Sequence, residues 1–362
     1  MRAAVLEGRR QFVVKEVPVP ELPDGWVRIR VHAAGICGSD IHLYEGAHPG
    51  LRNPFGRVLG HEIAGVVTEI NGKTRRFQIG DRVSLNPMIS CGRCGYCRTG
   101  RFYLCEELAH IGVVYPGGFA EYTAAPIDNI YPLPETVDFA SAALLDALAV
   151  AVHAVNLAQV RPWGDAVIVG DGPVGLCLLN ALLSHGVRRV WVVGTLPHNL
   201  EVAKSLGAER VVNVREDPRW EEGGEGDGAD WKFDYAFESV GGSHQTLRSA
   251  LRHLRKRGTL VAVGIFSGDQ TIPGYELVWN EIRVIGSNSF GYHRERGEFE
   301  LALQLMADAP ERYRRIVTHI LPLQQIQEAF EMLLRRREGS RAIKVVLDPT
   351  LHEADPSGRM SG

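Results

Sequence analysis

The hexapeptide Gly170-Asp171-Gly172-Pro173-Val174-Gly175 follows directly on the apolar run 166–169 and opens a second apolar stretch, of helical character, reaching about residue 185. A glycine-x-glycine-x-x-glycine pattern is weak by itself in a chain with 40 glycines. Between a buried strand and a helix it is far more restrictive. Gly170 then allows the tight turn, Gly172 lets a pyrophosphate approach the backbone, and Gly175 lets helix and strand close on one another. The first helical turn, with Pro173 and Val174, offers unpaired N–H groups to phosphate oxygens. Further short apolar runs at 189–193, 210–213, 233–237, 259–263 and 283–285 alternate with helical patterns at 199–206 and 243–254. Strands apolar on both faces, separated by helices, predict a parallel α/β sheet.

The ribose end of this cradle departs from the usual pattern. An acidic residue about 20 positions after the glycines ordinarily meets the adenosine hydroxyls. Here the second strand ends Val192-Val193-Gly194-Thr195 without one, and 196–199 holds no arginine for a 2′-phosphate. Gly194, Thr195 and Asn199 are the candidate cofactor contacts at this end, and NAD and NADP both stay open.

A chain of 362 residues predicts two domains. Residues 11–17 and 26–33 alternate polar and apolar side chains, and 62–70 does so less cleanly, with few helical periods before about residue 140. This predicts a partly open, mainly β barrel with long loops. A second set of patterns follows residue 293: helices at 297–307 and 326–335, then a strand at 342–347 that is expected to return to the first domain. The expected division is 1–150, completed by 293–362, and 151–292. Residues 221–228 read as a surface connection, and the polar tail from Glu353 as frayed.

With 40 Lys+Arg against 43 Asp+Glu, the chain lacks the basic excess of a nucleic-acid binder. No run of 18 apolar residues offers a membrane span, and the amino terminus lacks a secretory pattern, so a cytoplasmic protein is expected.

Five of the six cysteines lie between Cys37 and Cys105. Cys91, Cys94 and Cys97, followed by Cys105, have the spacing of a closed four-thiolate zinc site, which leaves no position for substrate and serves to hold a long loop. Cys37 stands apart, in Cys37-Gly38-Ser39-Asp40-Ile41-His42, and Gly60-His61-Glu62 comes later. A catalytic zinc takes three protein ligands and keeps one position open. Cys37, His61, Glu62 and Asp146, the last an acid in an apolar stretch, are candidate donors. Taken singly, each reads more readily as something other than a ligand: Cys37 as a small buried hydrophobe, His61 as a core histidine, Glu62 as a salt-bridge partner and Asp146 as a helix cap. Ser39 and His42 read as a proton relay or as a turn cap and a solvated side chain.

Together these stretches resemble the zinc-containing medium-chain dehydrogenase/reductase family over essentially the whole chain. The resemblance rests on Gly35-Ile36-Cys37-Gly38-Ser39-Asp40, on Gly60-His61-Glu62-Ile63-Ala64-Gly65-Val66-Val67, on the four cysteines, on Gly117-Gly118-Phe119-Ala120-Glu121-Tyr122 and on the glycine fingerprint. It implies a mainly β GroES-like catalytic domain plus an α/β Rossmann domain, one structural and one catalytic zinc, and NAD or NADP. It further implies Cys37 and His61 with Asp146 or Glu62 as the catalytic ligands, and Ser39 and His42 as the relay. The implied substrate is a small-molecule alcohol, a polyol or sugar first, with threonine-like amino alcohols and simple secondary alcohols or butanediol as alternatives; a zinc-stabilised nucleotide-binding scaffold without catalysis is the remote reading from outside the enzymes. A homodimer or homotetramer is implied, with no nucleic acid or membrane partner. Leu43 stands where sorbitol-oxidising members tend to carry a substrate-facing tyrosine.

Overall fold

The alternation at 11–17, 26–33 and 62–70 corresponds to the strands Gln11–Glu16, Trp26–Gly35 and Glu62–Asn71. The computed structural model describes residues 1–46, 53–222 and 230–351. Residues 223–228 of the expected surface connection, and the tail from Glu353, lie outside them. The chain divides into two compact units, one of residues 1–97, 104–144 and from 317 onward, the other of 98–103 and 145–316.

The first unit is β-rich. Its largest sheet runs Ile130–Pro132, Arg82–Leu85, Glu62–Asn71, Trp26–Gly35, Lys344–Asp348, Val317–Pro322, with Tyr122–Pro126 also pairing with Trp26–Gly35. Register shifts interrupt the pairing of Trp26–Gly35 with Glu62–Asn71 between Arg28 and Ile29 and between Val31 and Ala33. Such bulges break strict period-two alternation, which explains the uneven pattern at 62–70. Phe12 and Tyr44 stack in the apolar core, where Phe330 lies tilted against both and edge-on to Phe119. One element has no sequence signal: α1 (Gly38–Tyr44) is two turns long, too short to show a helical period. Asp40 caps it, accepting from the Cys37 amide at 3.0 Å. Leu43 lies in the core of this unit, 2% exposed.

The second unit is a doubly wound α/β domain. Its parallel sheet has the spatial order Arg210–Asn213, Arg189–Gly194, Asp165–Val169, Phe233–Glu238, Leu254–Ala262, Arg283–Gly286. In chain order this is 3-2-1-4-5-6, and the order reverses at Asp165–Val169. The helices that concern the site are α2 (Leu145–Ala158), α3 (Pro173–Ser184) and α4 (Pro197–Ser205), followed by α5 (Gly274–Trp279) and α6 (Glu298–Asp308).

Two expectations need correction here. The helix expected over 243–254 covers only Thr246–Arg252, and the following strand begins at Leu254, not 259. Leu254 pairs with Phe233, and the register then shifts through Arg255-Lys256-Arg257 before Thr259 meets Tyr235. Three consecutive cations hide that strand entrance from any apolar pattern. Arg255 is satisfied there by Asp165, Asp230 and Asp234.

α6 is fastened to α2 by a buried polar cluster. His153 Nδ1 donates to Glu298 Oε2 at 2.7 Å, Asn156 Nδ2 donates to Oε1 at 2.8 Å, and the Gly291 amide donates to Oε2 at 2.7 Å. Among the described residues no helix is long and apolar enough to cross a membrane.

Candidate metal centres and cofactor cradle

The loop 91–105 converges its sulfurs. Donor atoms of Cys91, Cys94, Cys97 and Cys105 all lie within 4.8 Å of one another. The Cys94 and Cys97 sulfurs are 3.5 Å apart and those of Cys91 and Cys97 4.0 Å. Four Zn–S bonds of about 2.3 Å impose a tetrahedral edge of about 3.8 Å, so the set fits zinc. Backbone amides point at the sulfurs: Cys94 N to Cys91 Sγ at 3.4 Å, and Cys91 N and Glu107 N to Cys105 Sγ at 3.3 and 3.4 Å. The amides of Cys97 and Glu106 pull the Cys94 thiol down to about 6, while burial and the neighbouring Cys94 and Cys105 sulfurs push the Cys97 thiol up to about 11.

A second set gathers at the end of the main sheet. Cys37 precedes α1, while His61 immediately precedes and Glu62 opens the strand Glu62–Asn71, whose first residue pairs with Gly35. Their donor atoms lie within 4.8 Å of one another. One thiol, one imidazole and one carboxylate are the donor types of a zinc site with an open position. Asp40 and His61 are both buried, and Asp40 Oδ1 lies 3.6 Å from His61 Nδ1, an ion-pair contact longer than a hydrogen bond. Orienting Nδ1 in this way leaves Nε2 as the donor nitrogen. Burial opposes charge on His61, but Asp40 and Cys37 outweigh it and hold the imidazole well above its ordinary range while no metal competes.

Glu62 has another partner. Lys344, 1% exposed, pairs with Glu62 Oε2 and donates to the Ile36 carbonyl at 3.2 Å. Burial alone would lower the Lys344 ammonium, yet Glu62, Cys37 and Asp40 keep it charged. The pair closes over Gly35, where any added methyl would overlap the Glu62 carboxylate. His110 lies edge-on to His61 at 5.2 Å and donates from Nδ1 to the Ile111 carbonyl at 2.8 Å. Burial and the His61 charge push it down to about 4, so it is neutral.

Of the other expected residues, Ser39 and His42 both lie on α1, three positions apart and half-buried. That spacing puts them on one face of the helix. Asp146 stands in the first turn of α2, in the second unit.

The glycine turn has the geometry its pattern predicts. Gly170 has φ +127°, and a side chain on Gly175 would overlap the Gly170 carbonyl. Gly172 is the N-cap of α3, with Pro173 at its first position and Val174 next. Proline costs nothing there, since that N–H has no intrahelical acceptor. Asn199 is buried and donates from Nδ2 to the Asp171 carbonyl at 2.9 Å. Thr195 and Leu196 donate their amides to Asp171 Oδ2 at 2.9 and 2.8 Å.

Asp40, Lys344, His110 and Asp171 are the residues that sequence reasoning leaves without a role. For two of them a signal exists. Lys344 is the one charge in Ala342-Ile343-Lys344-Val345-Val346-Leu347, and a lysine inside such a strand needs a buried partner. Asp171 is an acid inside the phosphate turn itself. Asp40 and His110 carry no comparable mark.

Comparison with known proteins finds a family match on each of the two parts of the chain. Residues 23–135 match the alcohol dehydrogenase GroES-like domain, and residues 173–308 the zinc-binding dehydrogenase domain. The sorbitol dehydrogenase of Bacillus subtilis is 31% identical over 354 residues, covering 96% of this chain and 97% of its own length. The L-threonine 3-dehydrogenase of Anaeromyxobacter sp. is 32% identical, covering 96% of this chain and 99% of that one. Among solved structures, L-idonate 5-dehydrogenase of Escherichia coli superposes with a TM-score of 0.84 at 27% identity, covering 96% of this chain and 97% of that one.

Proposed function

The chain belongs to the zinc-containing medium-chain dehydrogenase/reductase family, and from that premise we propose that it oxidises a secondary alcohol of a polyol or sugar. It is an NAD(P)-dependent zinc alcohol dehydrogenase acting on secondary-alcohol or polyol-type substrates; the narrower polyol assignment is ours. The observation that carries the chemistry is the convergence of Cys37, His61 and Glu62. Zinc held there would supply a Lewis acid that lowers the pKa of a substrate hydroxyl, and NAD(P)⁺ would accept the hydride.

The chain's own residues do the rest. Asp40 keeps the His61 ring turned so that one nitrogen is reserved for the metal. Lys344 engages one Glu62 oxygen and restrains the other. In this proposal Ser39 Oγ accepts the substrate hydroxyl proton as it gives up its own, and the proton leaves for solvent by way of His42. Asp146 is the alternative third metal donor. Metal analysis of Glu62→Gln and Asp146→Asn, each first shown by circular dichroism to keep the wild-type fold, decides between them. Cys91, Cys94, Cys97 and Cys105 hold the second zinc, with no chemical role.

Polyol oxidation is favoured by the relatives that act on sorbitol and L-idonate. The threonine dehydrogenase relative supports amino-alcohol oxidation as a second assignment. A panel of polyols, sugar acids, threonine, butanediol and simple secondary alcohols, run with both NAD and NADP, tests this. Turnover confined to unfunctionalised alcohols or to threonine sinks the polyol assignment.

We also propose a homo-oligomer. Arg283–Gly286 ends the parallel sheet, and α5 beside it in the chain exposes Tyr275, Val278 and Trp279 at 74, 77 and 66%. We also assign the protein to a reducing compartment, the cytoplasm, where cysteines serve as zinc ligands rather than as disulfides.

A further inference from the structure

We infer that Asp171, the residue between the first two glycines of the phosphate turn, makes the cofactor site select NAD(H) against NADP(H). The inference rests on the dinucleotide cradle above and adds which cofactor that cradle takes.

Two consecutive amides, those of Thr195 and Leu196, stand at the end of the strand Arg189–Gly194, just before α4. Paired N–H groups at a helix start form an anion site by their own chemistry. In this fold the end of the second strand is also where the ribose 2′ position is read. A 2′-phosphate would therefore find ready donors there, but both amides already donate to Asp171 Oδ2, at 2.9 and 2.8 Å. Asn199 Nδ2 donates to the backbone carbonyl of the same residue at 2.9 Å and pins it to α4. Asp171 is only 8% exposed, so its charge acts through a poorly screening medium.

A phosphate arriving at this strand end meets occupied donors and a charge of its own sign. A neutral 2′-hydroxyl meets neither obstacle and can donate to a carboxylate. Residues 195–203 contain no lysine or arginine, and Lys204, the next residue, donates to the Glu209 carbonyl. Gly194 belongs to the same device, because a side chain at that position would overlap the Asp171 carboxylate. The missing acid on the second strand and the acid inside the glycine turn are then one substitution. The carboxylate reaches the ribose end from the first turn instead of from the second strand.

The test is equilibrium binding to the zinc-loaded, full-length protein, titrated separately with NADH and NADPH and followed by nicotinamide fluorescence. NADPH should bind at least about tenfold more weakly than NADH. Asp171→Asn, which keeps an acceptor but no charge, should narrow that gap about tenfold, mainly by tightening NADPH. Equal binding of the two by the wild type overturns the inference. So does an Asn variant that weakens both cofactors and leaves their ratio unchanged, the result a purely structural role gives. Wild type that binds neither cofactor removes the dinucleotide cradle itself, and the inference with it. If Asp171→Asn does not fold, competition on the wild type by ADP-ribose and 2′-phospho-ADP-ribose carries the test. The phosphorylated competitor must be about tenfold weaker, and parity overturns selection at this position.

Discussion

Lys344 and Glu62 are each almost completely buried, so neither charge can be relieved by water if the other is lost. Removing one member of such a pair typically costs about 3–5 kcal/mol, because the partner is left charged and unmatched. Lys344→Met should therefore lower unfolding free energy in urea by about that amount, and Glu62→Gln in the same background should return part of it. An unchanged urea midpoint for Lys344→Met would show that the pair does not hold this part of the sheet. The two residues differ in how visible they are beforehand. Glu62 is marked by the adjoining Gly60-His61, whereas Lys344 is 282 positions away. Only the pairing of Gly35 with both Glu62 and Val346 explains why they meet. Cross-strand register over such a distance is invisible to a local pattern.

At the scale of elements, the four-cysteine loop and the α2–α6 clasp make separate predictions. Cys97→Ser should leave about one zinc per chain where the wild type holds two, with a lower melting temperature. Metal analysis that still finds two would assign that sulfur no ligand role. In the clasp, burial alone would raise the Glu298 carboxyl, but His153, Asn156 and the Gly291 amide outweigh it and hold it below the ordinary range. A carboxyl depressed on folding adds stability that is complete above its unfolded value and disappears as pH falls through the folded one. The stability gap between wild type and Glu298→Gln should thus be level from pH 7 to about 5 and shrink below about 4.5, read by denaturant titration at each pH. A gap that widens in acid contradicts that assignment. The parallel strands were legible in advance because each is a short apolar run, Ala166-Val167-Ile168-Val169 being the cleanest. The start of Leu254–Ala262 was not, since Arg255, Lys256 and Arg257 interrupt it. Nor was α1, which an Asp40 cap and two turns define without any periodicity.

For the whole molecule, the 3-2-1-4-5-6 order and the β-rich first unit account for the two chemistries the sequence combines, phosphate binding at glycine and metal binding at sulfur. An exposed stacked pair, Tyr275 and Trp279 at 5.8 Å, accompanies the open edge of the parallel sheet. Aromatic side chains so placed are typical anchors of protein interfaces. Sedimentation should show a dimer or larger assembly, and Trp279→Asp should shift it toward monomer with cofactor affinity retained. A wild type that sediments as a monomer at micromolar concentration rejects the interface.

The position of Lys344 also bears on how the chain comes into being. When a ribosome has threaded out the first 340 residues, both zinc-donor sets are already present, yet the ammonium that neutralises Glu62 has not been made. The buried carboxylate must wait, hydrated or protonated, until the last strand arrives to slot in beside Trp26–Gly35. Burial of the Glu62 carboxylate is thereby tied to the arrival of the strand Lys344–Asp348, and a chain cut before Ala342 should leave that group open to water.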